Sequence, residues 1–207
     1  MGDAGAFLFE TMGKFDFGGI DAFAFPTTLF DARMTLTVGD KTVELMDLGP
    51  AHTNSDTLAW VPGDRTVFTG DLIFNEGHPI MWAGPIENWI DACATIIALE
   101  PEIVVPGHGP ITDVGAVSNL KSYFEYIRAE TRKRFDAGMR WDETARDINM
   151  TEYRGWKDPE RIVANVFSLY RQWGTVFTPD EARDLFGAMG RYHWEAANHA
   201  EACGHDH

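Results

Sequence analysis

Apolar and polar positions alternate from Arg33 onward: Met34, Leu36 and Val38 are separated by Thr35 and Thr37, Gly39-Asp40 supplies a turn, and Val43 and Leu45 resume the alternation within 42–48. A period of two over that length predicts a β-hairpin with one buried face. A second strand pair is predicted over 57–61 and 66–69, joined by Pro62-Gly63-Asp64-Arg65, whose proline and glycine provide turn chemistry. Ile103-Val104-Val105 is a short unbroken apolar run, as expected of a strand buried on both faces. Between these strands, Trp89, Ile90, Cys93, Ile96 and Ile97 fall on one stripe of a helix predicted over 86–99.

After Asp113 the period of two disappears. Val117, Leu120, Phe124 and Ile127 predict a long helix ending near Gly138. Asp158-Pro159 reads as the N-cap and first residue of a helix carrying Ile162, Val163, Val166, Phe167, Tyr170 and Trp173 on its apolar side. Thr178-Pro179-Asp180-Glu181 is a capping box that opens a last helix through Leu185 and Met189. Residues 1–25, rich in Gly and Phe, have no sustained period and read as a flexible or partner-dependent segment. The expected layout is therefore 1–25, a strand-rich unit over 26–113, and a helical extension over 114–207.

Composition narrows the function. The 207 residues carry 17 Lys plus Arg against 32 Asp plus Glu, a net charge of −15, and the imbalance is local: residues 1–113 hold 4 basic and 17 acidic side chains. Such a surface repels phosphate backbones, so no nucleic-acid partner is expected. No apolar run is long enough to span a membrane, and residues 1–10 lack the basic start and apolar core of a secretory signal. Two cysteines, Cys93 and Cys203, make no disulfide framework, so a cytoplasmic protein is expected if Met1 is the natural start.

Three polar signatures stand where strands are predicted to end: Gly49-Pro50-Ala51-His52-Thr53, Thr69-Gly70-Asp71, and Pro106-Gly107-His108-Gly109-Pro110. Each places a His or Asp just past a buried strand beside a glycine, where loops on a rigid scaffold present functional groups. Two imidazoles and a carboxylate suit zinc, and also non-haem iron. Taken singly, His52 as a turn cap, Asp71 as an acceptor for backbone amides and His108 in a tight loop have plain structural readings.

In that order, a His-Thr after a strand, a strand ending in Thr-Gly-Asp, a helix and a Val-Val-Pro-Gly-His-Gly loop resemble the C-terminal half of the metallo-β-lactamase superfamily, over 26–113. The resemblance implies an α+β fold, a partial αββα sandwich followed by the helical extension, with one or two Zn2+ ions at the sandwich edge. It implies that His52 completes the first metal site, that Asp71 bridges the two metals and takes part in catalysis, and that His108 belongs to the second site. Metal-bound water would be acidified toward a pKa of about 7 and a scissile carbonyl or phosphoryl oxygen polarised. The family's His-x-His-x-Asp-His loop is absent: the seven histidines are at 52, 78, 108, 193, 199, 205 and 207. A truncated member, weakly active or inactive alone, is expected, because catalytic zinc takes three protein ligands.

Two functions follow. One is a metal-dependent hydrolase of a small ester, thioester, lactone or lactam, with an iron-dependent redox member of the same fold as its variant. The other is a non-catalytic half-domain acting as an oligomerisation or binding module, because half a sandwich leaves an apolar face for a homo-oligomer or a missing N-terminal half to cover. Elsewhere, His193, His199, Cys203, His205, Asp206 and His207 read as a frayed, ligand-rich tail. His78 reads as loop packing or as the mouth of the site, Trp82 and Trp89 as a substrate wall or, for Trp89, as core, and Cys93 as core. Trp141, Trp156 and Trp173 read as packing for the extension, and the basic run 121–134 as a solvated helix face.

Overall fold

The computed structural model describes residues 2–16, 18 and 24–203, with side chains to residue 196. The elements run α1 (Asp3–Met12), β1 (Arg33–Val38), β2 (Lys41–Asp47), β3 (Thr57–Val61), β4 (Thr66–Phe74), α2 (Ile86–Ala98), β5 (Ile103–His108), α3 (Val114–Asp136), α4 (Trp141–Asp147), α5 (Arg161–Gln172) and α6 (Pro179–Cys203). The strands form one sheet in the order β1-β2-β3-β4-β5, antiparallel except for the parallel β4–β5 pair. A parallel pair needs a crossover, and α2 provides it.

The sheet has two unlike faces. On one, Met46, Leu58, Trp60, Val67 and Val104 are buried in the same core as Trp89, Ile96, Leu120 and Phe124 of α2 and α3. The Trp89 and Phe124 rings meet at 4.5 Å. On the other face the register aligns Met34, Leu45, Ala59, Phe68 and Val105 in one apolar row across all five strands. Phe68 is 47% exposed and the other four are half-buried. The predicted hairpin is present with the expected pairing, but its buried face is not: β1 contains no buried residue, and Leu36 and Val38 are exposed. β5 likewise buries only Val104 fully, because the open face uncovers Ile103.

The extension is a packed helical layer. Tyr123, Tyr153 and Trp156 pack ring against ring, with Tyr153–Trp156 centroids at 4.9 Å, and Trp141 meets Phe167 edge-on at 5.1 Å. The capping box is formed: Glu181 N–H donates to Thr178 Oγ1 at 3.2 Å, and Thr178 N–H donates to Glu181 Oε2 at 2.9 Å. The predicted start of α5 moves. Asp158 has φ +58° and pairs with Arg161 at 2.9 Å, so Glu160 stands at the N-cap. The short α4 had no periodic signature. Helix α1, in the segment without a period, lies along α6. It buries Phe7 and ties Asp3 to Arg191 at 3.0 Å.

Of the basic residues on α3, Lys121 pairs with Glu125 at 2.6 Å and the exposed Arg132 with Asp136 at 2.8 Å, while the half-buried Arg134 reaches Asp147 of α4 at 2.7 Å. No described helix is long and apolar enough to cross a membrane.

Candidate metal centre

Asp71, His52 and His108 come together at one edge of the sheet. Asp71 lies in the C-terminal part of β4, His52 in the loop between β2 and β3, and His108 at the end of β5. His52 Nε2 stands 3.4 Å from Asp71 Oδ2, and His108 Nε2 stands 3.4 Å from Asp71 Oδ1. One carboxylate therefore faces an imidazole nitrogen with each of its oxygens.

The His52 ring is fixed from behind. Its Nδ1 lies 2.7 Å from the Ile80 carbonyl oxygen, which only accepts, so Nδ1 must carry the hydrogen. In the neutral ring Nε2 is then a bare lone pair aimed at a carboxylate oxygen, an acceptor facing an acceptor. That pairing is satisfied by positive charge between the two atoms, a metal ion or a proton. His108 is held by stacking on Phe74, with ring centroids 4.5 Å apart and planes 12° from parallel.

The loops come this close because two positions lack a side chain. A Cβ on Gly107 would lie 2.1 Å from Asp71 Oδ1, and one on Gly109 would lie 1.9 Å from the Asn75 carbonyl oxygen. Gly109 also has φ +88°. The glycines on either side of His108 thus bring its loop down over Asp71.

The His52 loop is shaped by a residue that motif reasoning missed. Asp56, itself buried, accepts from Ala51 N–H at 2.9 Å, from Thr53 N–H at 3.0 Å and from Thr53 Oγ1 at 2.8 Å, bracketing His52 on both sides. Its signal was an Asp at the end of a polar loop four residues after the His, a spacing suited to capping that loop's amides. Of the other sequence candidates, Trp89 borders the site, its ring edge-on to that of His52 with centroids 6.0 Å apart. His78 is 1% exposed, 3.2 Å from Tyr123 Oη, and burial pushes its pKa down to about 4. Trp89 is core, donating to the Leu72 carbonyl at 2.7 Å, and burial raises the Cys93 thiol to about 12. Trp82 is part-exposed against Phe186 on α6. In the tail, His193 sits between Glu160 and Glu10, at 3.2 and 3.6 Å. The side chains of His199 and Cys203, and all of His205, Asp206 and His207, lie outside the described residues.

The donors fit zinc pairwise. Two ligands on one tetrahedral zinc, with bonds of about 2.0–2.2 Å, stand about 3.4 Å apart. The set is nevertheless short: each ion would meet one imidazole and one carboxylate oxygen from these three residues. Among the described residues, no group of three or more His, Cys, Asp or Glu side chains gathers as one metal site.

A family model described as the metallo-beta-lactamase superfamily matches residues 10–108, from α1 to the His108 that closes the site. A beta-lactamase-like protein 2 homolog of Caenorhabditis elegans is 27% identical over 84 residues, 41% of this chain and 28% of the relative. The stereoselective inverting sec-alkylsulfatase Pisa1 from Pseudomonas sp. superposes with a TM-score of 0.56 at 11% identity, over 74% of this chain and 27% of that one. A metallo-beta-lactamase from Pontibacter korlensis gives 0.46 at 21% identity, over 49% and 50%. The chain thus spans between about a quarter and a half of the length of these relatives. The superfamily match ends at the very loop that brings His108 to Asp71, and over residues 10–108 the chain is similar to the metallo-β-lactamase superfamily.

Proposed function

We propose that this chain contributes the His52–Asp71–His108 part of a metal-dependent hydrolase centre. The observation that carries the reading is the Asp71 carboxylate with an imidazole nitrogen 3.4 Å from each oxygen, the arrangement of a ligand shared between two cations. Similarity to the metallo-β-lactamase superfamily over residues 10–108 supports hydrolase-like chemistry. The missing donors come from outside these residues, and zinc is the metal that the donor set suits best. Asp71 would be a ligand to both ions, and His52 and His108 would each be a ligand to one. With 4 basic side chains in residues 1–113, the surroundings favour a small neutral ester, thioester, lactone or lactam over a polyanion. A cytoplasmic place of action, in keeping with the free buried thiol of Cys93, belongs to the same reading.

The open sheet face favours a second reading, an oligomerisation module. The row Met34, Leu45, Ala59, Phe68 and Val105 is the kind of surface that a second copy or a second sheet covers. Zinc analysis and hydrolysis assays on the chain and on its His52→Ala variant separate the two. Bound zinc, with hydrolysis reduced at least about a hundredfold by His52→Ala, supports the hydrolase. Less than about a tenth of an equivalent of zinc, unchanged in His52→Ala, leaves the module, whereas zinc bound without hydrolysis is the result expected of a chain that supplies only part of the ligands.

A further inference from the structure

Helix α5 belongs to the extension, beyond the superfamily match, yet one of its faces grips the loop that fixes His52. Arg161, Asn165, Ser168 and Gln172 recur at i, i+4, i+7 and i+11, a single stripe of the helix. Arg161 Nη1 donates to the His78 carbonyl at 2.9 Å, and Asn165 Nδ2 donates to the Pro79 carbonyl at 2.9 Å. Asn165 Oδ1 accepts from Met81 N–H at 2.8 Å, Ser168 Oγ donates to the Met81 carbonyl at 2.6 Å, and Gln172 Oε1 accepts from Ile86 N–H at 3.1 Å.

One peptide unit lies at the centre of this grip. The Ile80 carbonyl and the Met81 N–H belong to the same planar amide. Its N–H donates to Asn165 and its oxygen accepts from His52 Nδ1 at 2.7 Å. Asn165 is fully buried, and its amide can be oriented one way only, with Oδ1 toward an N–H and Nδ2 toward the Pro79 carbonyl and Tyr123 Oη. Hydrogen bonds in such a chain polarise one another, and fixing one end fixes the plane of the amide that the imidazole reads.

We propose that Asn165 is a positioning residue for the metal centre: through the Ile80–Met81 peptide it holds His52 in the Nδ1–H form, with Nε2 turned to Asp71. The inference rests on His52 being a site residue, as argued above. Two further contacts join the gripped loop to the His52 loop, Trp82 N–H to the His52 carbonyl at 3.3 Å and Gly84 N–H to the Ala51 carbonyl at 2.9 Å. The helical extension is therefore the back wall of a site whose named ligands all lie outside it.

The test reads the imidazole tautomer of His52 by nitrogen NMR in the metal-free chain at a pH where the ring is neutral, beside hydrogen exchange at the Met81 amide. The unaltered chain is expected to hold the Nδ1–H form alone. Asn165→Ala is expected to lose that single form and to speed Met81 amide exchange by roughly tenfold or more. Val166→Ala, a cavity on the same helix without a hydrogen bond to the loop, is expected to lower the melting temperature while keeping the Nδ1–H form. Retention of the wild-type tautomer in Asn165→Ala, or equal loss of it in Val166→Ala, would overturn the proposal. A second measurement needs no variant: in the unaltered chain the His52 ring proton and the Met81 amide are expected to exchange through one opening, with the same urea dependence, and separate openings count against it. The readout involves neither metal nor substrate, so failure of the hydrolase reading and failure of this one are distinguishable.

Discussion

The sheet unit and the helical extension solve opposite problems. In residues 33–108 the three site residues gather at one edge of the sheet, His52 on a loop and Asp71 and His108 in the C-terminal parts of strands, brought together by glycines; one sheet face is open, and acidic groups outnumber basic ones. In residues 114–196 the helices pack closely, charged groups pair both within helices and between them, and no sequence motif points to chemistry. Yet α5 of the second region holds the loop on which His52 of the first leans. Groups that touch a metal and groups that keep them in place need not share a motif or a region, and only the former leave a local signature in sequence.

The contrast is sharpest at glycines. Gly107→Ala and Gly109→Ala drive a methyl group into Asp71 and into the Asn75 carbonyl, and each is expected to cost about 3 kcal/mol or more in urea unfolding. Gly138→Ala, in the extension, meets nothing within 4 Å and is left with the cost of its φ of +76°, about 1–2 kcal/mol. Equal losses at the three positions would break the distinction between a crowded site and an open turn.

His78 tests the boundary between the regions, since it lies on the sheet unit's loop beneath Tyr123 and Trp156. Burial outweighs the other influences on it, the Tyr153 backbone contact and the charges of Arg161 and Asp158, and lowers its pKa from 6.5 to about 4. Between those values the unfolded chain binds the proton and the folded one does not, so stability falls as pH drops from 6.5 toward 4. The loss is on the order of 3 kcal/mol. Urea midpoints measured across that range should decline in the unaltered chain and decline less in His78→Gln.

Smaller effects belong to the extension's own bonds and to the open face. Thr178→Ala removes the capping box of α6 and is expected to cost about 1 kcal/mol. Phe68→Ser, on the bare face, should change the stability of the chain by no more than about 0.5 kcal/mol. A large loss there, growing with protein concentration, would mean that a second copy covers the face in solution.

Much of the sheet unit was legible because alternation, Gly and Pro turns and strand-end His and Asp are local patterns. The hairpin and its Gly39-Asp40 turn came directly from them, and the helical stripe placed α2 to within a residue at each end. Burial was not legible: Leu36 and Val38 alternate, and Ile103 opens an unbroken apolar run, as buried residues do, and whether an apolar face is covered depends on what packs there. Helix α1 was hidden among glycines and phenylalanines, and it is held by α6, far away in sequence, through Phe7 and Asp3. Asp158-Pro159 looked like a cap, but the ion pair with Arg161 and a positive φ shift the start of α5 to Glu160. His52, Asp71 and His108 stood out as strand-end signatures, and their ligand roles rest on the family resemblance. Asp56 and Asn165, which shape their surroundings, are ordinary polar residues until the loops are folded.

The central claim is that Asp71 is where two cation positions meet and that this chain supplies part of their ligands. Zinc titration of the chain against its Asp71→Asn variant tests it most directly. Weak binding that Asp71→Asn reduces at least about tenfold is the predicted result; the same affinity in both proteins would contradict it.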